Sequence, residues 1–341
     1  MGESSTENQN TLYARQLIRE LELNGPPPDL RSDTDNESLL TIYPGLAAVS
    51  TLDVAVPGSE AGVPGRLYRA PGVASAGFVW VHGGAFIAGD LNMPEAHWVS
   101  LHLASQGISV LSLDYRKALH GVRYPEPSND VLAGWLWALE NVSEFGLENA
   151  EDLHLGGASA GAALTAALTG RLRDGAGKIP ASLLLAYPLV HANLPPISEE
   201  LMEKIEGVPA DLAFTPEFVR EVNLNFAGSE DNFGDPHAFA GAGSLDGFPP
   251  VYIINSEADT LRASGELFAA QLEAAGVPVR VEIEPGSTHG HLDHPHSAPG
   301  RNSVDRMVRW LREEHSPASC RPTVGAGKQA AMFMTQAAFE K

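Results

Sequence analysis

Leu153-His154-Leu155-Gly156-Gly157-Ala158-Ser159-Ala160-Gly161 runs straight into an alanine-rich stretch, Ala162 to Leu172. The apolar lead-in predicts a buried strand, the alanine-rich continuation predicts a helix, and the pentapeptide between them predicts a sharp turn. Such a turn holds a serine in a strained backbone conformation with its hydroxyl exposed. The flanking glycines leave room for strand and helix to approach closely. A serine hydroxyl is a weak nucleophile by itself, but one held on this turn beside a histidine can attack an acyl carbon. The pentapeptide is short and the chain holds 34 glycines in 341 residues, so its meaning depends on what surrounds it.

Acyl transfer needs a nucleophile, a base, a group that orients the base, and donors for the developing oxyanion. In a parallel α/β sheet these parts fall just past the carboxyl ends of strands, and the sequence supplies each there. Trp80-Val81-His82-Gly83-Gly84-Ala85-Phe86 follows an apolar run beginning at Phe78. Its adjacent glycines let the Gly83 and Gly84 amides, with that of Ala160 after the serine, converge on an oxyanion. His82 reads as a brace for that loop. Asp259 follows Val251–Asn255 and is the candidate partner of the base, with Glu257 as a rival and a helix N-cap as its plainer role. His289 follows Val279–Ile283 and is the candidate base. The patch His289-Gly290-His291-Leu292-Asp293-His294-Pro295-His296 could also suggest a metal site. A metal there would consume the base that Ser159 needs, so the patch reads as solvated polar surface rather than a metal site.

Around these motifs strands and helices alternate. Strand patterns cover 51–56, 66–68, 78–82, 109–114, 153–157, 182–189, 251–255 and 279–283. Helical patterns cover 12–23, 96–105, 131–145, 160–173, 263–275 and 304–314. This order predicts a mostly parallel central sheet covered by helices on both faces. Pro26-Pro27-Pro28 is expected to end the first helix. About sixty residues between Pro188 and Pro249 break the alternation and carry apolar helical faces with Leu201, Met202, Ile205, Phe218, Val219, Val222 and Phe226. Apolar helices need something to cover, so this stretch predicts a cap over the site. The expected organisation is N-terminal cap helices and a flexible start over 1–45, a core over 46–190 and 236–315, a cap insertion over 191–235, and a flexible tail over 316–341. Trp135 and Trp137 lie two apart on one helix, so they cannot share a face.

The net charge of -21 argues against nucleic acid and anionic membranes as partners. No apolar run reaches membrane-spanning length. Met1 to Thr6 loosely fits a myristoylation pattern, but no basic residues follow to support an anchor. A cytoplasmic protein is the expectation. The single cysteine, Cys320, excludes an internal disulfide and a cysteine-rich metal site.

With these residues in hand, the chain resembles the hormone-sensitive-lipase-like, HGGG-motif branch of the α/β hydrolases, the bacterial carboxylesterases. The resemblance spans roughly 45–315 and rests on His82 to Phe86, Asp114-Tyr115-Arg116, Gly157 to Gly161, Asp259 to Arg262 and His289-Gly290. It implies an α/β-hydrolase fold with a helical cap, the chain order serine, acid, histidine, and no cofactor. Ala85 stands where the family usually has a third glycine, Ala158 where an acidic or hydroxyl residue is common, and His291 where an aromatic residue is frequent. Lys117 to His120 replaces a proline- and glutamate-containing stretch. The implied activity is hydrolysis of small to medium, apolar or aromatic carboxylic esters through an acyl-enzyme. A lactonase, amidase, acyltransferase or non-catalytic ligand-binding module on the same scaffold is the alternative. The expected partner is a small-molecule ester, and the Val279–Ile283 strand is a candidate homodimer edge, because family members often dimerise there.

Overall fold

The computed structural model describes residues 9–26, 34–58, 62–209 and 214–313. Its elements run in the order α1 (Gln9–Asn24), α2 (Asn36–Ile42), β1 (Ser50–Val56), β2 (Val63–Arg69), β3 (Ala76–Val81), α3 (Pro94–Ser105), β4 (Ile108–Leu113) and α4 (Glu126–Glu140). Then come β5 (Leu153–Ala158), α5 (Ala160–Arg171), β6 (Leu183–Ala186), α6 (Glu199–Ile205), α7 (Pro216–Ala227), β7 (Val251–Ala258), α8 (Arg262–Ala274), β8 (Val279–Thr288) and α9 (Ala298–Arg312).

The strands form one sheet in the order β1-β2-β4-β3-β5-β6-β7-β8. β1 with β2 and β2 with β4 are antiparallel, and every pair from β4 to β8 is parallel. Strands β3 to β6 are buried at every position, which is why they read as unbroken apolar runs rather than alternating ones. One face of the sheet is covered by α4, α5 and α8 through Val131, Trp135, Leu164, Leu168, Phe268 and Leu272. The other is covered by α3 and α9 through Trp98, Leu103, Val304, Met307 and Trp310. Leu39 of α2 joins that second layer. Trp135 is buried and its Nε1–H donates to the Lys178 carbonyl, while Trp137 is half-buried, as two residues on opposite helix faces must be.

Several boundaries differ from the sequence reading for identifiable reasons. α1 ends at Asn24, before the prolines, because Gly25 takes φ +67° and its N–H closes on the Leu21 carbonyl. α1 also begins at Gln9, three residues before the helical pattern read over 12–23. α4 and α9 begin about a turn earlier than their apolar patterns, because Pro127 and Pro299 sit in the first turn, where the missing N–H costs nothing. β8 continues past Pro285 and Gly286 to Thr288. It is the last strand of the sheet, and its register with β7 is broken between Ser256 and Ala258, so a proline is tolerated there. Residues 1–8 and the expected tail over 316–341, with Cys320, lie outside the described residues. Among the described residues no helix is long and apolar enough to cross a membrane.

Candidate active site

Ser159 stands between β5 and α5 with φ 51° and ψ -116°, a conformation that costs about 1–3 kcal/mol for a residue with a side chain. The glycines around it explain how it is held. A Cβ on Gly161 would lie 2.1 Å from the Val81 carbonyl oxygen, and one on Gly157 would lie 2.4 Å from the Gly161 carbonyl carbon. Strand and helix therefore meet backbone to backbone. Ser159 N–H donates to the Ala186 carbonyl at 2.9 Å, which fixes the turn to β6. α5 is buried nearly end to end, and Ala160 opens it, so the serine sits at a helix N-terminus where backbone donors and the macrodipole favour negative charge.

The residues that sequence reasoning paired with Ser159 are brought together with it. His289 Nε2 lies 3.0 Å from Ser159 Oγ, and His289 Nδ1 lies 2.7 Å from Asp259 Oδ2. Its other oxygen, Oδ1, accepts the Leu261 N–H at 2.9 Å in the turn before α8, whose N-cap is Leu261 without a side-chain cap bond, so the plainer N-cap role of Asp259 does not hold. The rival carboxylate is occupied elsewhere: Glu257 binds Lys204 Nζ and accepts the Gly286 N–H. Burial opposes charge on the His289 imidazole, but the Asp259 carboxylate, helped by Glu95 and Asp293, outweighs it and raises His289 above its ordinary value.

The glycine loop lies against Ser159, since a Cβ on Gly83 would sit 3.1 Å from Ser159 Cβ. Gly84 has φ +103°, and a Cβ there would lie 2.1 Å from the Ala88 carbonyl oxygen. The next two residues, Ala85 (φ +53°) and Phe86 (φ +64°), also take left-handed conformations, so the position that bears alanine here is one where glycine would be less strained. His82 is a brace: its Nδ1–H donates to the Gly83 carbonyl at 2.8 Å, and its ring stacks on Tyr115. Tyr115 Oη–H donates to the same carbonyl at 2.9 Å. Burial and the neighbouring Lys117 ammonium lower the His82 value, which favours its neutral form. Lys117 in turn binds Asp114 Oδ1 and the Tyr115 carbonyl, so the divergent 117–120 stretch still ties into the loop.

The histidine patch departs from the expected solvated surface at His291, which is 3% exposed. Its Nδ1 meets Ser256 Oγ at 2.9 Å and its Nε2 meets Ser303 Oγ at 2.8 Å, so it joins β7 to α9. His294 and His296 are exposed.

Three residues beside the site were missed. Phe214 stands edge-on to His289 at 4.8 Å and leads outward through Phe218 to Tyr13 of α1. Tyr187 stands edge-on to His289 at 4.9 Å from the other direction. Glu95 accepts the Gly83 N–H at 2.5 Å and the Tyr187 hydroxyl. A glutamate after Pro94 in a first helical turn reads as an ordinary dipole-favoured carboxylate, and no local pattern announces that it is buried. α7 packs against α1, the glycine loop and the segment after β4. Its Phe226 stacks on Phe86 at 4.2 Å, its Glu221 binds Arg15 of α1, and Asn225 donates to the Ala118 carbonyl.

A family model described as alpha/beta hydrolase fold matches residues 78–293. Over 259 residues the chain is 31% identical to the esterase LipI of Mycobacterium tuberculosis, covering 74% of this chain and 77% of that one. Over 285 residues it is 30% identical to the carboxylesterase NlhH of the same species, covering 82% of each. Among solved structures, the thermophilic carboxylesterase EstE1 from a metagenomic library superposes with a TM-score of 0.71 at 25% identity, covering 91% of this chain and 98% of that one.

Proposed function

The chain belongs to the alpha/beta hydrolase fold family, in its hormone-sensitive-lipase-like branch, and from that premise we propose that it is a carboxylic ester hydrolase working through Ser159, His289 and Asp259. The observation that carries the residue assignment is the continuous hydrogen-bonded line from Ser159 Oγ through both nitrogens of His289 to Asp259.

In this reading Ser159 Oγ attacks the acyl carbon as its proton passes to His289 Nε2. The carbonyl oxygen gains negative charge at the start of α5, facing the amides of Gly83, Gly84 and Ala160. The intermediate collapses, the C–O bond to the alcohol breaks, and the alcohol leaves with the proton from His289. Water, deprotonated by the same nitrogen, then attacks the acyl-enzyme and releases the acid and free Ser159. Asp259 keeps the proton of the resting imidazole on Nδ1 and stabilises the imidazolium that forms. The resting enzyme donates the Gly83 N–H to Glu95, so that amide reaches a substrate oxygen only by sharing.

Helices α1, α6 and α7 form the cap in this reading, with the segment that carries Phe214. The aromatic line Phe214, Phe218 and Tyr13, with Leu189, Leu194, Val219 and Leu261 beside it, favours apolar or aromatic acyl and alcohol groups of small to medium size. At the far edge of the sheet, β8 leaves Val281 and Ile283 partly exposed, which favours a homodimer along that strand.

The test is a panel of aryl esters of increasing acyl length, paired with amides of the same acyl groups, on the wild type and on Ser159→Ala. Ester turnover that is fastest on short and aromatic acyl groups and lost in the variant is expected. Ester turnover at the wild-type rate in Ser159→Ala would overturn the assignment.

A further inference from the structure

Glu95 is an enclosed carboxyl group beside the site, 2% exposed, and the acyl-transfer steps above leave it without a task. It sits in the first turn of α3, yet its contacts go to four other places. Its Oε1 accepts the Gly83 N–H of the glycine loop at 2.5 Å. Its Oε2 accepts the hydroxyl of Tyr187, the residue that follows β6. Its backbone N–H donates to Asp293 Oδ1 at 3.0 Å in the loop after β8, and its carbonyl accepts Trp80 Nε1–H at 2.9 Å on β3. Tyr187 has φ +36°, an unusual conformation for a tyrosine, and from there its ring lies edge-on to His289 at 4.9 Å. A single side chain thus joins the loop beneath the serine to the aromatic wall beside the base.

We propose that Glu95 is a positioning residue for ester hydrolysis, holding the Gly83 peptide and the Tyr187 ring in register so that the oxyanion donors and the imidazole are set by the same group. The inference rests on the ester hydrolase reading of the site.

The physical argument has two parts. A buried carboxyl that accepts two hydrogen bonds is restrained by both, and charge-assisted bonds to it are short and strong. Turning the Gly83 peptide away from Glu95 would leave one buried carboxyl oxygen without that donor, which opposes the turn. The bond thereby fixes the Gly83 peptide, and with it the loop that carries the Gly84 amide, before substrate arrives. The second part is electrostatic. The titratable groups facing Glu95 are Asp293 and His289 from the loop after β8, Tyr187 from the turn after β6, and Tyr115 from the segment after β4. Burial and then the Asp293 carboxylate push Glu95 up to about 7, against the lowering by the Tyr187 and Gly83 donors and by His289. In return, Glu95 in its charged form favours the imidazolium of His289. A residue that only filled space in α3 would lack this second effect.

The experiment measures hydrolysis of a short aryl ester between pH 5 and 9 by the wild type, Glu95→Gln, Tyr187→Phe and the double variant, with a thermal melt for each. Glutamine keeps an acceptor for Gly83 but carries no charge. For Glu95→Gln the expected result is a kcat about tenfold lower with KM within about twofold. The acid limb of kcat/KM moves to lower pH by about half a unit, because imidazole loses a neighbouring negative charge. Tyr187→Phe removes a donor that lowers Glu95, so it moves the limb in the same direction by less. The double variant is expected to be no worse than Glu95→Gln, since both act through one carboxyl. A kcat and acid limb in Glu95→Gln equal to those of the wild type would overturn the proposal. So would a kcat loss with an unmoved limb, which damage to packing alone would produce, or fully additive losses in the double variant. If Glu95→Gln does not fold, the limb and kcat of Tyr187→Phe decide by the same criteria. A wild type that hydrolyses no ester would instead overturn the reading of the whole site, a result distinct from an active wild type matched by its Glu95 variant.

Discussion

The turn at Ser159 and the helices above it are built by opposite means. At the turn, backbone meets backbone: β5 is buried throughout and α5 nearly so, and Gly157 and Gly161 occupy places where a Cβ would collide with main-chain atoms. Over the site, contact is made by side chains. α7 is held by Phe226 on Phe86 and by Glu221 on Arg15, and of α6 only Leu201 is buried. The first kind of contact admits almost no substitution, while the second admits any pair of surfaces that fit. Under the proposed function, reaction chemistry belongs to the rigid part and substrate choice to the adjustable part.

That contrast can be broken by substitution, and the largest effect belongs to the turn. Ser159→Ala is expected to reduce kcat by about 10⁶-fold with the melting temperature held or raised, since alanine takes the same turn. Steady-state kinetics and calorimetry on one preparation check both halves. Asp259→Asn is expected to lower kcat by about 10⁴-fold, because the amide leaves His289 in the wrong tautomer. Gly161→Ala acts on the fold rather than the chemistry. A methyl group 2.1 Å from the Val81 carbonyl oxygen has to move strand or helix, so denaturant unfolding should show a loss of about 3 kcal/mol or more. The cap should respond more gently. Phe214→Ala, by removing the ring edge-on to His289, is expected to raise KM for aromatic esters several-fold while acetate esters change little. An equal effect on both substrates would blur the distinction between the two regions.

The pH profile sharpens it further. The base must be neutral, and His289 is raised in the folded enzyme, so kcat/KM should climb with an apparent value above the free imidazole's roughly 6.5. The smallest expected effect is that of a chelator. His289 is engaged by Ser159 and Asp259 and His291 by Ser256 and Ser303, so the rate should be unchanged, and restoration of a lost rate by added metal would contradict that.

The same contrast explains what could be read from the chain. Gly83, Gly84, Gly157 and Gly161 answer demands of the local backbone, and such demands leave a signature within a few residues. Buried parallel strands do likewise, as unbroken apolar runs. Glu95, Tyr187 and Phe214 answer partners 12 to 198 residues away, such as the Gly83 amide, the Tyr187 hydroxyl and Asp293, and nothing near them in sequence records the pairing. His291 was misread for that reason too: a histidine among histidines looks like surface, and only Ser256 and Ser303, brought in from β7 and α9, make it a buried link.

Covalent labelling tests the central claim most directly. The enzyme is incubated with an aryl phosphonate ester, residual ester hydrolysis is followed, and the modified residue is located by peptide mass spectrometry. The account predicts one adduct per chain, on Ser159, formed in step with the loss of activity and absent from Ser159→Ala. Full inhibition with the adduct on another residue, or persistent hydrolysis by enzyme fully labelled at Ser159, would contradict it.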